Sequence, residues 1–183
     1  MNARFQRKHI PKLVVSAIVA TVCLMESAAG GSVPVVVFAD GRVHHPIVVS
    51  PDASPRVLAV AGDLAGMLGR MTGGAFGVVP GDGTTGIAVG TASGFPTLGL
   101  TEQLAVNSLA DREHYVLRSH AHGLHALGAT ETAVEDAVWD LLYRLGYRQF
   151  FPGETWEVVP FLTELSSELD VDEKPDYLSR RIW

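Results

Sequence analysis

The stretch TETAVEDAVWDLLYRLGYRQFFPG, residues 130–153, contains the strongest helix signal in the chain. Thr132 and Glu135 have the spacing of a capping box at a helix start, and Gly146 favours a helix end. The aromatic run 147–151 then predicts a short strand that Pro152-Gly153 closes. A helix that turns directly into a strand is typical of an α/β packing unit, so we expect this stretch to be core. Its apolar residues recur at the spacing of one helix face: Val134, Ala137, Val138, Leu141, Leu142 and Leu145.

The first 29 residues have the pattern of a secretory signal peptide. Four basic residues precede the uncharged apolar run Leu13–Met25, and small residues follow at 27–29. This run of 13 residues is too short to cross a bilayer, which takes a helix of about 20 residues. We therefore predict cleavage after Ala29 or Gly30, export to the periplasm or the extracellular space, and no membrane association after cleavage.

Cysteine usage and charge limit the chemistry of the mature chain. The single cysteine, Cys23, lies in the leader and follows Val22 rather than a small residue, so we predict no lipid anchor. The mature chain then has no thiol, disulfide or cysteine metal site. Without the leader, 10 basic residues remain against 19 acidic ones, a net charge of −9. An acidic surface repels phosphate backbones, which argues against nucleic-acid binding and leaves neutral glycans open.

The remaining sequence predicts an α+β fold. Ser54 and Pro55 mark the start of another helix, and Gly73-Gly74 marks its end. We predict a two-layer sandwich, a mixed β-sheet with two helices on one face. The domains are the signal peptide 1–29, an α+β domain at 30–160, and 161–183 as a connector and the start of a further element. Strands are predicted at 33–38, 46–50, 77–80, 87–90, 113–119, 124–128 and 156–160, a hairpin turn at 120–123, and a short helix at 102–107.

Histidines are the first candidates for a functional site. His120, His122 and His125 cluster, and a His-x-His pair on one strand face can bind zinc or copper. This pair straddles a predicted turn, however, and no acidic residue in the same run has a suitable spacing. We therefore expect solvent-exposed histidines at a hairpin tip, with no metal and no cofactor. A small metal-dependent enzyme that uses these histidines is a distant alternative.

Paired carboxylates are the second candidates. Asp111 with Glu113, and Asp170 with Asp172 and Glu173, could supply the two acidic groups that glycoside hydrolysis requires. The first pair lies in a predicted loop and the second group in the predicted connector. Acidic residues in such segments are usually solvated. We therefore assign no catalytic residue.

A glycine-rich loop and three large aromatic residues complete the candidates. The loop Gly81–Gly86 lacks the lysine of a phosphate-binding loop, so we predict a turn. Trp139, Tyr147 and Trp156 could stack on sugars. Trp139 lies within the predicted helix, where it should flank the core.

The order of elements and one local motif resemble a known group of enzymes. The pattern resembles the small N-terminal domain that precedes the catalytic barrel in α-glucuronidases, β-N-acetylhexosaminidases and related glycoside hydrolases. The resemblance covers roughly residue 33 to the C-terminus, and its most specific part is 134–153. It rests on Leu68-x-x-Met71-x-Gly73, the Ile87-Ala-Val-Gly90 strand, Glu113-x-Tyr115-x-Leu117, and Leu145-Gly146-Tyr147-Arg148-x-Phe150-x-Pro152-Gly153.

The resemblance implies a domain without chemistry of its own, because the catalytic carboxylates of such enzymes lie on a (β/α)₈ barrel of about 250 residues. Residues 175–180 resemble the approach to the first barrel strand of hexosaminidases, where an arginine binds sugar hydroxyls. Arg180 matches that arginine by position and is the one substrate-binding candidate, although Arg181 replaces the usual glycine. We expect a non-catalytic accessory domain of a secreted glycoside hydrolase, whose partner is the barrel. The alternative is a stand-alone secreted module that binds carbohydrate or protein.

Overall fold

The computed structural model describes residues 32–175, apart from the side chain of Glu154. The predicted signal peptide and Arg180 lie outside the described residues. The described part contains two helices, α1 (Pro55–Thr72) and α2 (Glu131–Arg144). Its eleven strands are β1 (Val35–Ala39), β2 (Arg42–Val43), β3 (Ile47–Val49), β4 (Val78–Pro80), β5 (Gly86–Thr91), β6 (Tyr115–His120), β7 (Gly123–Gly128), β8 (Arg148–Gln149), β9 (Glu157–Val158), β10 (Leu165–Ser167) and β11 (Asp170–Glu173).

A six-stranded mixed sheet forms the centre of the fold, in the order β11-β6-β7-β5-β3-β4. Strands β7, β5, β3 and β4 run parallel, and β6 is antiparallel to both of its neighbours. Two smaller sheets have the orders β10-β1-β2 and β8-β9. The structure thus confirms the predicted α+β sandwich with a mixed sheet.

Alternation along the strands divides the core between the two faces of the sheet. Ile47 and Val49 of β3 belong to the larger cluster, which also contains the buried faces of α1 and α2. Val48, between them, points to the opposite face and packs with Phe95 and Leu104 of the segment that follows β5. Successive strand residues point to opposite faces. Both helices therefore cover one face, and an irregular loop covers the other.

The ends of α1 lie where the sequence predicts them. The Ser54 hydroxyl accepts a hydrogen bond from the Val57 amide at 3.3 Å, and Pro55 occupies the first turn. Gly73 closes the helix in the left-handed conformation, with φ of 75°. A residue with a Cβ is strained there, whereas glycine is not.

The predicted cap of α2 is wrong. Thr130, not Thr132, is the N-cap, and its hydroxyl accepts from the Ala133 amide at 3.4 Å. The helix begins early because β7 runs directly beneath its first turn. A Cβ on Gly128 would lie 2.5 Å from the Val134 nitrogen. Only a glycine at the end of β7 permits this approach.

The segment predicted as a connector differs most from its prediction. β10 pairs with β1, and β11 pairs with β6 over four residues, from Asp170↔Arg118 to Glu173↔Tyr115. Residues 165–173 are therefore part of the domain that was predicted to end at residue 160. The sequence signal is weak because β11 is an edge strand, and its one apolar residue, Val171, is surrounded by acidic ones.

The loop between β5 and β6 also differs from its prediction. Residues 102–104 form a turn and 105–107 are irregular, where the sequence predicts a short helix. Short 3₁₀ turns occupy Ala92–Gly94, Pro96–Leu98 and Ala110–Glu113. Phe95, Leu100 and Leu104 are buried and attach the loop to the sheet. These three residues do not have helical spacing in the sequence, because the loop that carries them is not an α-helix.

Candidate functional site

The feature most suggestive of function is an exposed group of aromatic residues around β8 and β9. The two strands pair as a short ribbon, with Arg148 opposite Val158 and Gln149 opposite Glu157. We call Phe150, Phe151, Trp156 and Phe161 the aromatic ribbon. Their exposed fractions are 66%, 61%, 51% and 73%. An aromatic side chain contributes about 150–250 Å² when fully buried, so these four together expose roughly 400–600 Å².

Contacts at its base fix the ribbon on the helix layer. Glu157 accepts a hydrogen bond from Arg70 of α1 at 2.7 Å and another from the buried Tyr147 hydroxyl at 3.2 Å. The bond from the Arg70 guanidinium holds the pKa of Glu157 below its usual value. Gly146, with φ of 103°, redirects the chain from α2 into β8. The exposed rings are therefore presented by an anchored element.

The ring geometry indicates what the aromatic ribbon can contact. Phe151 and Trp156 pack edge to face, with centroids 5.1 Å apart and an angle of 69° between their planes. Next to the ribbon, the Arg148 guanidinium lies 3.6 Å from the centroid of the Tyr143 ring, a cation–π contact. Two rings at this angle do not form one flat platform. They present an uneven apolar surface, which suits packing against protein better than stacking on one sugar face.

His120 ends β6, His122 lies in the turn that follows, and His125 lies near the amino-terminal end of β7. His122 is exposed on the hairpin turn, as predicted. The prediction of a solvated tip is wrong for His120 and His125, whose ring centroids are 4.3 Å apart. Within residues 32–175, the Nε2 atoms of both rings are buried and have no hydrogen-bond partner.

Burial is the main cause of the unusual titration of these histidines. It lowers the pKa of His125 to about 4, with a further contribution from His120. It also lowers the pKa of His120 and, in the segment before β3, of His45. Among residues 32–175, no group of three or more His, Cys, Asp or Glu side chains could hold a metal ion. His120 and His125 therefore form a packed pair whose burial favours the neutral rings.

Asp111, the first residue of the first carboxylate pair, has a structural role. Asp111 is buried, and it accepts hydrogen bonds from the amides of Asn107 at 3.0 Å and Ser108 at 2.6 Å. Its other oxygen bonds to Lys174 beyond β11. The bond from Lys174, together with that from Ser108, holds the pKa of Asp111 well below its usual range. A carboxylate saturated in this way fastens the loop to the end of β11 and is not available to a substrate.

The second carboxylate group belongs to β11. Asp170 pairs with Arg118 at 2.9 Å, and Asp172 bonds to His114 at 2.5 Å and Gln103 at 2.6 Å. These contacts attach the edge strand to its neighbours. The third member, Glu173, lines a cavity of about 450 Å³ together with Glu113 of the first pair and with Asp140, which is paired with Arg144.

The other sequence candidates are only partly suited to binding. Trp139 is 40% exposed on α2, whereas Tyr147 is buried. Residues 81–85 form a turn-rich loop in which the Asp82 carboxylate accepts from the Thr84 amide and hydroxyl, consistent with the predicted turn. The sequence interpretation missed the exposure of Phe150, Phe151 and Phe161. The sequence does contain a signal for it, since two adjacent aromatic residues, Phe150 and Phe151, directly precede Pro152-Gly153. Strands of only two residues, such as β8 and β9, cannot bury these side chains.

No family model matches the chain, and no curated protein is significantly similar to it. In the part of the chain that the structure describes, neither helix has the length and hydropathy that a membrane crossing requires.

Proposed function

We propose that this chain is a non-catalytic, exported N-terminal domain of a larger carbohydrate-active enzyme, and that the aromatic ribbon packs against the catalytic barrel. The observation that carries the proposal is the exposure of Phe150, Phe151, Trp156 and Phe161 on an anchored element. Phe150 and Phe151 belong to the 134–153 block, which bears the most specific part of the family resemblance, and Trp156 and Phe161 come later in the chain.

The engagement of three candidate carboxylates and of the histidines supports a domain that does no chemistry. Asp111, Asp170 and Asp172 are engaged in hydrogen bonds and ion pairs within the domain. The histidine group is packed ring against ring. Neither arrangement leaves a nucleophile and a base facing a shared space, which is the minimum that group transfer requires.

A stand-alone carbohydrate-binding module is the second candidate. The half-exposed Trp156 and Trp139 favour it, because exposed tryptophans are common sugar-stacking groups. The edge-to-face angle between Phe151 and Trp156 favours the accessory role instead. Glycan-array binding that is lost in Trp156→Ala would support the module.

The native size of the polypeptide tests the leading proposal. An antibody raised against residues 55–160 should detect, in the secreted fraction, a band larger than this chain by at least about 250 residues, the size of a barrel. A band at the size of this chain without its signal peptide would contradict the accessory role. The purified chain should release no sugar from aryl glycosides, and enzymatic turnover would equally contradict the proposal.

Paired variants of that longer polypeptide test the docking surface. Phe151→Ser with Trp156→Ser should lower the unfolding temperature of the barrel domain, because interface aromatics account for much of the binding energy. Val106→Ser with Leu109→Ser is the matched control, since these side chains are 49% and 71% exposed in the loop that covers the other face of the sheet. Equal effects of the two pairs would contradict docking through the ribbon.

A further inference from the structure

The connections after β3 and β5 leave the sheet in opposite directions. These strands are parallel neighbours, with Ile47 opposite Ile87 and Val48 opposite Ala88. After β3 the chain enters α1, on the helical face. After β5 it enters the loop containing Phe95, on the opposite face. In open sheets with parallel strands, adjacent connections that diverge in this way leave a crevice at the carboxyl ends of the strands, and such crevices commonly bind ligands.

A cavity lies at this position. It has a volume of about 910 Å³ and lies between the turn 50–54 after β3, residues 90–97 after β5, and the loop at Gly81-Asp82 after β4. We call it the carboxyl-edge groove. This volume is typical of small-molecule sites, which measure about 300–1,000 Å³. The groove is separate from the aromatic ribbon, since the two share no residue.

The walls of the groove are held in place by local hydrogen bonds. The Ser50 carbonyl accepts from the Ala53 amide at 3.0 Å, and the Thr91 and Ser93 hydroxyls are 3.1 Å apart. On the far wall, the Thr97 hydroxyl donates to the Asp82 carbonyl at 3.4 Å. The hydroxyls are therefore set in position before any ligand arrives.

The polar groups that line the groove define its ligand. Four residues with hydroxyl side chains line it, Ser50, Thr91, Ser93 and Thr97, and so do the acidic residues Asp52 and Glu131. Asp82 also lines it, with its carboxylate bonded to Thr84. No lysine, arginine or histidine lies among the described residues that line it. Carboxylates accept hydrogen bonds from hydroxyl groups and repel anions. The lining therefore favours an uncharged polyhydroxy compound over a phosphate or a carboxylate.

The geometry points to the carboxyl-edge groove as a binding site for a neutral sugar, with Asp52 and Ser93 as hydrogen-bonding groups. The choice of a sugar among polyhydroxy compounds rests on the proposed function, whereas the groove and its selection against anions do not. The domain would then contact glycan itself, in addition to packing against a barrel.

Amide chemical shifts of the isotope-labelled mature chain test this site. Titration with xylobiose or N-acetylglucosamine should shift the amides of Asp52, Gly81 and Thr91 in a saturable manner. Glucuronate should bind more weakly by about an order of magnitude at low salt, because the acidic residues Asp52 and Glu131 line the groove. Inorganic phosphate should shift none of these amides.

Two isosteric variants separate a specific site from a general charge effect. Asp52→Asn should weaken sugar binding at least about tenfold, since it replaces an acceptor that bonds hydroxyls with charge assistance. Asp63→Asn also removes one negative charge, but at an exposed position of α1 outside the groove, and it should leave binding unchanged. Circular dichroism of both variants verifies the fold.

The outcomes distinguish this inference from the proposed function. Shifts confined to Phe151 and Trp156 would overturn the groove as the sugar site and favour a stacking module. Equal losses in the two variants, or no shifts at all, would also overturn it. If the native band is large enough to contain a barrel and no amide chemical shift changes, the accessory role is kept and only the sugar site in the groove is rejected.

Discussion

Acid should destabilise the domain through His125, between about pH 6.5 and pH 4. Burial lowers the pKa of this side chain from 6.5 to about 4 in the folded state. The folded protein therefore favours the neutral ring, and its contribution to stability is complete above pH 6.5. As pH falls, the unfolded chain takes up the proton first, so stability declines until the folded pKa is reached. The groups that act on His125 are His120 and Arg118 from β6 and the Gly83 carbonyl from the loop before β5. His120 is in turn influenced by His122 from the turn and by His45 before β3.

The magnitude follows from the pKa difference. A shift from 6.5 to about 4 corresponds in full to about 3 kcal/mol, at 1.36 kcal/mol for each unit. The ring is only partly buried, and solvent screening reduces this figure to about 2 kcal/mol. Among the described residues, no carboxylate is bonded to the His125 ring, so none would stabilise a proton there. The neighbouring Asp170 is paired with Arg118 instead. Between about pH 7.5 and pH 5, we expect His125 to remove roughly 1–2 kcal/mol from the free energy of unfolding.

Urea unfolding at several pH values measures this contribution. His125→Gln removes the titration and should flatten the dependence over this range, relative to the wild type. His122→Gln is the control, because His122 is exposed on the turn and should leave the dependence unchanged. If the difference between His125→Gln and the wild type is the same at every pH, the reasoning from burial is refuted.

Three further outcomes test other parts of the structure. Thr130→Ala should lower the free energy of unfolding by about 1 kcal/mol, the usual value for an N-cap, whereas Thr132→Ala should change it by less than about 0.5 kcal/mol; chemical denaturation distinguishes them. Gly128→Ala should cost about 3 kcal/mol or prevent folding, because the new methyl group would contact the backbone at the start of α2; a mild effect would contradict the close approach. Trp156→Ala should reduce the binding of a hydrophobic dye to the native chain while changing its unfolding midpoint little, and unchanged dye binding would show that the ring is not an accessible apolar surface.

The regular elements with strong local signals could be predicted from the sequence. Ser54, Pro55 and Gly73 bound α1 as expected because caps depend on residues within one turn of the helix. The cap of α2 could not be placed in the same way. Thr130 and Thr132 are both suitable residues, and the close approach at Gly128 selects between them through a contact with β7.

Features that depend on pairing between strands far apart in the sequence could not be predicted from it. Asp170–Glu173 has the composition of a connector, and only pairing with β6 makes it a strand. The carboxyl-edge groove likewise needs β3 and β5 to be neighbours, although α1 and β4 separate them along the chain. Burial of the His120 and His125 rings follows from packing beside the loop before β5, which no local pattern reveals.

The position of β11 has a consequence for self-association. Exposed sheet edges offer unpaired backbone groups to other chains, and charged residues or proline commonly prevent such pairing. One edge of the main sheet is β11, where Asp170, Asp172 and Glu173 would face the like charges of a second copy. The other edge is β4, which is three residues long and ends at Pro80. The acidic residues that resemble a catalytic group in the sequence thus help to keep one molecule's sheet from extending into the next.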